Sequence, residues 1–222
     1  MFVNLLNKIT STLQLNINIL KQTLKQTLPG EKAQLQMAPT NRPNIKIESL
    51  KETDYKKSAV IVLLCKDEDD STFIPLIERE TYNGLHSGQI GLPGGKFDAN
   101  DESLEQTAKR ECYEEIGLQN YELLSKLTPL YIPVSGFLVQ PYLAYYELKN
   151  PNFVRQQREV KTILKLKVKQ LLDDSFIKHG NLSPTVDLKH SYFDIDNYKI
   201  WGATAMILNE VKAVLKEGNH FE

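Results

Sequence analysis

The clearest pattern along the chain is the unbroken apolar run Val60-Ile61-Val62-Leu63-Leu64, inside the segment Ser58 to Lys66. β-Branched and aliphatic residues at successive positions predict a strand buried on both faces. Phe73 to Arg79 reads as its antiparallel partner, across the acidic turn Asp67-Glu68-Asp69-Asp70. Further strands are predicted at Glu122–Tyr131 and Gly136–Leu148, with a weaker one around Val160–Leu166. Between them the period changes. Leu104, Ala108, Cys112 and Ile116 recur every fourth residue, the buried stripe of a helix. Ser103 followed by Gln106 resembles a capping box at its start, and Gly117 sits where a left-handed terminator belongs. A short helix follows at Val168–Asp173 and a final one from about Ala203 to Lys216. Strands flanked by helices, with no internal repeat, predict an α/β/α sandwich around a mixed β-sheet.

The N-terminus has its own pattern. Phe2, Leu6, Ile9, Leu13, Ile17, Leu20 and Leu24 recur at helical period, and the first acidic residue is Glu31. A cationic amphipathic helix of this kind docks on the body of the protein or on a second subunit, or else serves as a membrane-surface or targeting element. The absence of arginine and the Asn residues among its apolar positions favour docking. Residues 29–45, with Pro29, Gly30, Pro39 and Pro43, read as an extended linker. The chain thus divides into a helical extension and linker at 1–42 and a catalytic-sized domain at 43–222.

Composition adds mainly exclusions. At 41% hydrophobic and 25% charged, the chain is ordinary for a globular protein. A formal net charge of −1 provides no field to recruit nucleic acid. No apolar run approaches the length needed to span a bilayer. Cys65 and Cys112 have no metal-ligand neighbours in sequence and read as buried free thiols of a cytoplasmic protein.

The chemistry lies on the helix ending at Gly117. Glu111 and Glu115 are one turn apart and about 40° apart around the axis, with Glu114 beside them. A solvated face explains a lone Glu-Glu pair. Clustered carboxylates repel, however, and a hard divalent cation such as Mg2+ or Mn2+ converts that repulsion into binding. Ahead of the helix, Gly94-Gly95 lets a backbone turn approach a ligand closely.

The whole pattern, Gly95, a loop, Glu102, seven residues and then Arg110-Glu111-Cys112-Tyr113-Glu114-Glu115-Ile116-Gly117-Leu118, resembles the signature of the Nudix hydrolases, which cleave diphosphates linked to another moiety. Gly95 to Glu102 encloses six residues where five are usual, a variant similar to that of the coenzyme A pyrophosphatases. Arg79, a spacer, then His86-Ser87-Gly88-Gln89-Ile90-Gly91-Leu92-Pro93-Gly94-Gly95 is similar to a second motif of that subgroup, with Leu92 where an aromatic is usual. Pro133-Val134-Ser135-Gly136-Phe137-Leu138-Val139 and Trp201-Gly202-Ala203-Thr204-Ala205 look like further segments of it.

The resemblance implies the same sandwich architecture and a metal-dependent cleavage of coenzyme A or acyl-CoA to 3′,5′-ADP and (acyl-)4′-phosphopantetheine. It implies Glu111, Glu114, Glu115 and the Gly94 carbonyl as metal ligands, Glu111 and Glu114 with Arg110 as the catalytic set, and Arg79, Lys96, His86 and Gln89 as substrate contacts. Glu102 is expected to tie the loop to the helix. Glu159 is a further acid for the cluster or a plain surface residue. Tyr131, Phe137 and Tyr142 are stacking platforms or core. Other readings stay open: a pyrophosphatase for ADP-ribose, NADH or another nucleoside diphosphate derivative, a nucleotide sensor that cleaves nothing, and a homodimer.

Overall fold

The computed structural model describes residues 15–80, 88–183, 186–218 and 220–221. Its centre is β1 (Lys56–Lys66), which pairs antiparallel with β2 (Thr72–Arg79) and parallel with β7 (Phe137–Lys149). Two short strands, β3 (Ile90–Gly91) on β2 and β4 (Gly94–Lys96) on β1, carry the chain across between them. β5 (Glu122–Lys126) and β6 (Leu130–Ile132) lie antiparallel on β7, and β8 (Val160–Lys167) lies on the outer edge of β2. The result is a mixed eight-stranded sheet.

Alternation along β1 builds both layers. Ala59, Ile61, Leu63 and Cys65 face a core that includes Ala108, Cys112 and Ile116 of the long helix. Val62 and Leu64 face the opposite core, with Met206, Ile207, Leu208 and Val211 of the final helix. A strand covered on both faces must be apolar at every position, which is why its sequence shows no alternation. The predicted α/β/α sandwich is the observed one.

Helices here are α1 (Ile17–Thr23), α2 (Gly30–Leu35), α3 (Leu104–Ile116), α4 (Val168–Leu172) and α5 (Gly202–Glu217). Three expectations need correction. The predicted N-terminal helix does not run through to Leu24: Leu15 makes a β-bridge to Phe221, Asn16 N–H donates to the His220 carbonyl at 2.6 Å, and α1 starts afresh with Asn16 as its N-cap. Residues 1–14 lie outside the described residues. The predicted extended linker instead contains α2, locked to α5 by polar contacts. The Gln34 amide donates to the Thr128 carbonyl and to Glu210, both at 2.8 Å, and Asn209 donates to the Ala33 carbonyl at 2.7 Å. The predicted strand Glu122–Tyr131 is split where Thr128 N–H and hydroxyl turn aside to the buried Glu210.

A separate three-stranded sheet, β9 (Ile177–Ser183), β10 (Val186–Ile195) and β11 (Tyr198–Ile200), has no counterpart in the sequence reading. Asp196 and Asn197, both at positive φ, turn β10 into β11.

Candidate active site

α3 is placed by local signals. Ser103 Oγ accepts from Gln106 N–H at 3.2 Å, and Gly117 ends the helix at φ 71°. The second half of the expected capping box is displaced by one residue, for Gln106 Oε1 accepts from Glu102 N–H at 2.6 Å. Thr107, Ala108, Cys112, Glu115 and Ile116 form the buried face. That face brings Glu115, only 1% exposed, under the two glycines that open β4.

Glu115 Oε2 accepts from Gly94 N–H at 2.8 Å, and Oε1 from Arg79 Nη1 at 3.3 Å. Burial pushes its carboxyl up to about 7, although Arg79 and the Gly94 N–H both pull it down; Glu111 and Glu159 add to the rise. Desolvation outweighs one guanidinium and one amide here. Gly94 and Gly95 are required by proximity. A Cβ on Gly94 would lie 2.3 Å from the Ala59 carbonyl oxygen, and one on Gly95 would lie 2.3–2.4 Å from the Glu111 carboxyl atoms. Glu111 is itself pushed up by burial, pulled down by Arg110, and pushed up further by Glu114 and Glu159.

Arg110 organises the other side. Its Nη1 donates to Glu111 at 2.8 Å and to Glu114 at 3.0 Å, and its Nη2 donates to the Lys96 carbonyl at 3.2 Å. Its strongest tie is to a residue that the sequence reading passed over. Nε and Nη2 grip both oxygens of Asp101, at 3.0 and 2.9 Å. Asp101 is buried and also accepts from Thr107 Oγ1 and Asp98 N–H. These bonds, Arg110's foremost, hold its carboxyl well below the usual range. The role expected of Glu102, tying loop to helix, belongs to Asp101. Glu102 is exposed and contributes only its backbone N–H. The signal was present: Asp101 follows Gly95 after five residues and precedes the cap at Ser103.

Of the other expected residues, Glu114 is half exposed at the rim. Arg79 is tied inward, its Nη2 donating to the Gly94 carbonyl at 3.2 Å. The Lys96 side chain is exposed, and the Gln89 carbonyl accepts from Arg79 N–H at 3.1 Å. His86 lies outside the described residues. Glu159 is exposed in the turn just before β8, close enough to raise both Glu111 and Glu115. Tyr142 is core, packed in the layer beneath α3, whereas Tyr131 and Phe137 are half-buried.

The cluster holds the carboxylates of Asp101, Glu111, Glu114, Glu115 and Glu159 against the guanidiniums of Arg79 and Arg110, an excess of negative charge that suits a hard divalent cation. Among the described residues no three His, Cys, Asp or Glu side chains form a ready-made cage. Arg110 draws Glu111 and Glu114 to itself while Glu115 is held by Arg79 and Gly94.

The family model described as NUDIX domain matches residues 55–175. Nudix hydrolase 15, mitochondrial, of Arabidopsis thaliana is 30% identical over 171 residues, 73% of this chain and 59% of its own length. The human mitochondrial coenzyme A diphosphatase NUDT8 is 28% identical over 172 residues, 73% of this chain and 71% of its own. Among solved structures, that of a C. elegans Ap4A hydrolase binary complex superposes with a TM-score of 0.48 at 17% identity, covering 73% of this chain and 99% of that one. The chain therefore spans less than two thirds of the plant relative's length.

Proposed function

Because this chain belongs to the NUDIX domain family, we propose that it is a metal-dependent pyrophosphatase that cleaves the diphosphate of coenzyme A or its thioesters to 3′,5′-ADP and (acyl-)4′-phosphopantetheine. The observation that carries the chemistry is the docking of Glu111 and Glu115 against Gly95 and Gly94, with Glu114 at the rim. A carboxylate set backed onto two glycines leaves backbone and side-chain oxygen ligands side by side.

Glu111, Glu114, Glu115 and the Gly94 carbonyl would hold Mg2+ or Mn2+. When bound, such an ion supplies positive charge to the diphosphate oxygens and favours in-line attack by water. Glu111, raised by burial, takes the proton of that water as the phosphorus–oxygen bond breaks. Arg110, anchored on Asp101, fixes the carboxylates of Glu111 and Glu114. Glu159, which immediately precedes β8 and whose charge raises both Glu111 and Glu115, is assigned to join them. Lys96, Gln89 and His86 are assigned to the substrate.

Support for coenzyme A as the substrate comes from the motif ending at Gly95 and from the similarity to the human relative, a coenzyme A diphosphatase. Steady-state kinetics on coenzyme A, dephospho-coenzyme A, ADP-ribose and NADH, with product identification, test it. Coenzyme A is expected to have the highest kcat/KM, with loss of the 3′-phosphate costing about ten- to a hundredfold. A preference for ADP-ribose overturns the substrate while leaving a pyrophosphatase, and no turnover of any compound leaves a sensor. Metal binding has its own readout. Divalent ions are expected to raise Tm, by about 2.7 kcal/mol of stability at a hundredfold excess over Kd. An unchanged rise in Glu111→Gln/Glu114→Gln places the ion elsewhere.

A further inference from the structure

Arg79 spans the two oxygens most central to that reading. One guanidinium nitrogen donates to Glu115 Oε1 at 3.3 Å and the other to the Gly94 carbonyl at 3.2 Å. Glu115 Oε2 is already taken by the Gly94 N–H at 2.8 Å. The guanidinium is therefore not merely near the carboxylates but occupies the same pair of acceptors that a cation would ligate. It comes from the C-terminal residue of β2, where Arg79 N–H still pairs with the Gln89 carbonyl, so the backbone is fixed while the long side chain is not. Its side chain is 27% exposed, against 2% for that of Glu115. The arginine can swing toward solvent; the glutamate cannot.

Building on the metal-dependent reading above, we propose that Arg79 is an exchangeable counter-ion: it holds Glu115 and the Gly94 carbonyl in register until a divalent cation takes those oxygens, and it is thereby released to the substrate diphosphate. A guanidinium and a dication cannot both sit between the same two acceptors, since their charges repel at that distance. Freed from Gly94 and Glu115, the same planar fork matches two oxygens of a phosphate. Cation and substrate binding are then coupled through one side chain. Arg79 thus acts as a positioning residue before the ion arrives and as a substrate contact afterwards.

Two mechanisms predict opposite signs. If Arg79 only props Glu115 in place, removing it disorders a ligand and weakens metal binding. If it competes, removing it tightens metal binding. Calorimetric titration of Mn2+ into the full chain, without substrate, separates them. Arg79→Met is expected to lower the Mn2+ Kd by about tenfold, the scale of one charge-assisted hydrogen bond given up. Arg79→Lys retains the charge but cannot fork across both oxygens, so it should bind Mn2+ more tightly than wild type, by less than Arg79→Met. A wild-type Kd in Arg79→Lys would reduce the effect to bulk charge and overturn the proposal, as would a weaker or unchanged Kd in Arg79→Met.

The second measurement follows the arginine itself. In 15N-labelled wild-type protein the Arg79 Nε–Hε resonance, assigned by its loss in Arg79→Lys, is expected to shift as Mg2+ saturates the site. A resonance indifferent to Mg2+ also overturns the exchange. The metal reading fails separately: if wild type binds no Mn2+, or Glu115→Gln binds it as well as wild type does, the site is wrong before Arg79 is considered.

Discussion

Glu115 places an ionisable group where water hardly reaches it, and its proton therefore reports on the fold. In the folded chain it is released near pH 7, in the unfolded chain near 4.5. Between those values the native state holds a proton that the unfolded state has lost, so this group's contribution to stability falls as pH rises through the window. In chelator, Glu115→Gln should be more stable than wild type above pH 7, by up to about 3 kcal/mol, and the gap should close below about pH 4.5. Urea unfolding at pH 5 and pH 8 checks it, and an equal gap at both would mean that the charge is not the cause. Asp101 has the opposite sign. Its lowered carboxyl stabilises above the ordinary value of 3.8, and that stability is lost as pH falls further. Asp101→Asn, which breaks the grip on Arg110, should cost about 2–3 kcal/mol and lower kcat ten- to a hundredfold by loosening Glu111. Glu102→Gln should leave both Tm and kcat unchanged. A reversed pair of results would return the clamp to Glu102.

At the scale of elements, what could be read in the sequence depended on whether a signal was local. β1, β2, β7, α3 and α5 were legible because each is set by its own apolar pattern and its own cap or turn residues. Glu111, Glu114 and Glu115 were legible for the same reason, being carried on one helix. Asp101 was missed because its function is set by where Arg110 reaches across a loop, which spacing alone does not show. α2 was missed because Pro29 and Gly30 look like linker residues, while the reason it is helical lies far away in Glu210 and Asn209 of α5. The β10–β11 hairpin had a usable signal in Asp196-Asn197, where positive φ at both turn residues suits a tight hairpin. The α2–α5 contact is the most exposed to test. Glu210 is fully buried and accepts from Gln34, Thr128 N–H and Thr128 Oγ1. Glu210→Ala should cost about 2–4 kcal/mol in urea unfolding, because three donors lose their acceptor inside the protein. A chain begun at Pro43 should show a loss at least as large, since it also uncovers the surface now packed by Leu20, Ala33 and Met37. If that shorter chain melts like the full one, residues 1–42 form an independent extension.

For the molecule as a whole, the central pairing is parallel, and it joins Lys56 to Phe137 and Leu64 to Tyr145, strands some 80 residues apart in the chain. Loops of that length close slowly, and contacts of such separation slow folding. During synthesis the disadvantage becomes one of timing. β1 leaves the ribosome with its apolar run complete but with β7 still untranslated, an interval of roughly 4–16 s at about 5–20 residues per second. Antiparallel β2 can cover only one end of it, at Cys65 and Lys66, and β4 the other, at Ser58 to Val60. Ile61 N–H can reach the Pro93 carbonyl, but Val62 to Leu64 must wait. Nascent chains stalled before Phe137 should therefore be held by chaperones or aggregate, whereas chains stalled well beyond Lys149 should resist protease across β1. The apolar strand at the centre of the sheet is thus left part-paired until β7 has been made, and the cell rather than the finished fold must shelter it during those seconds.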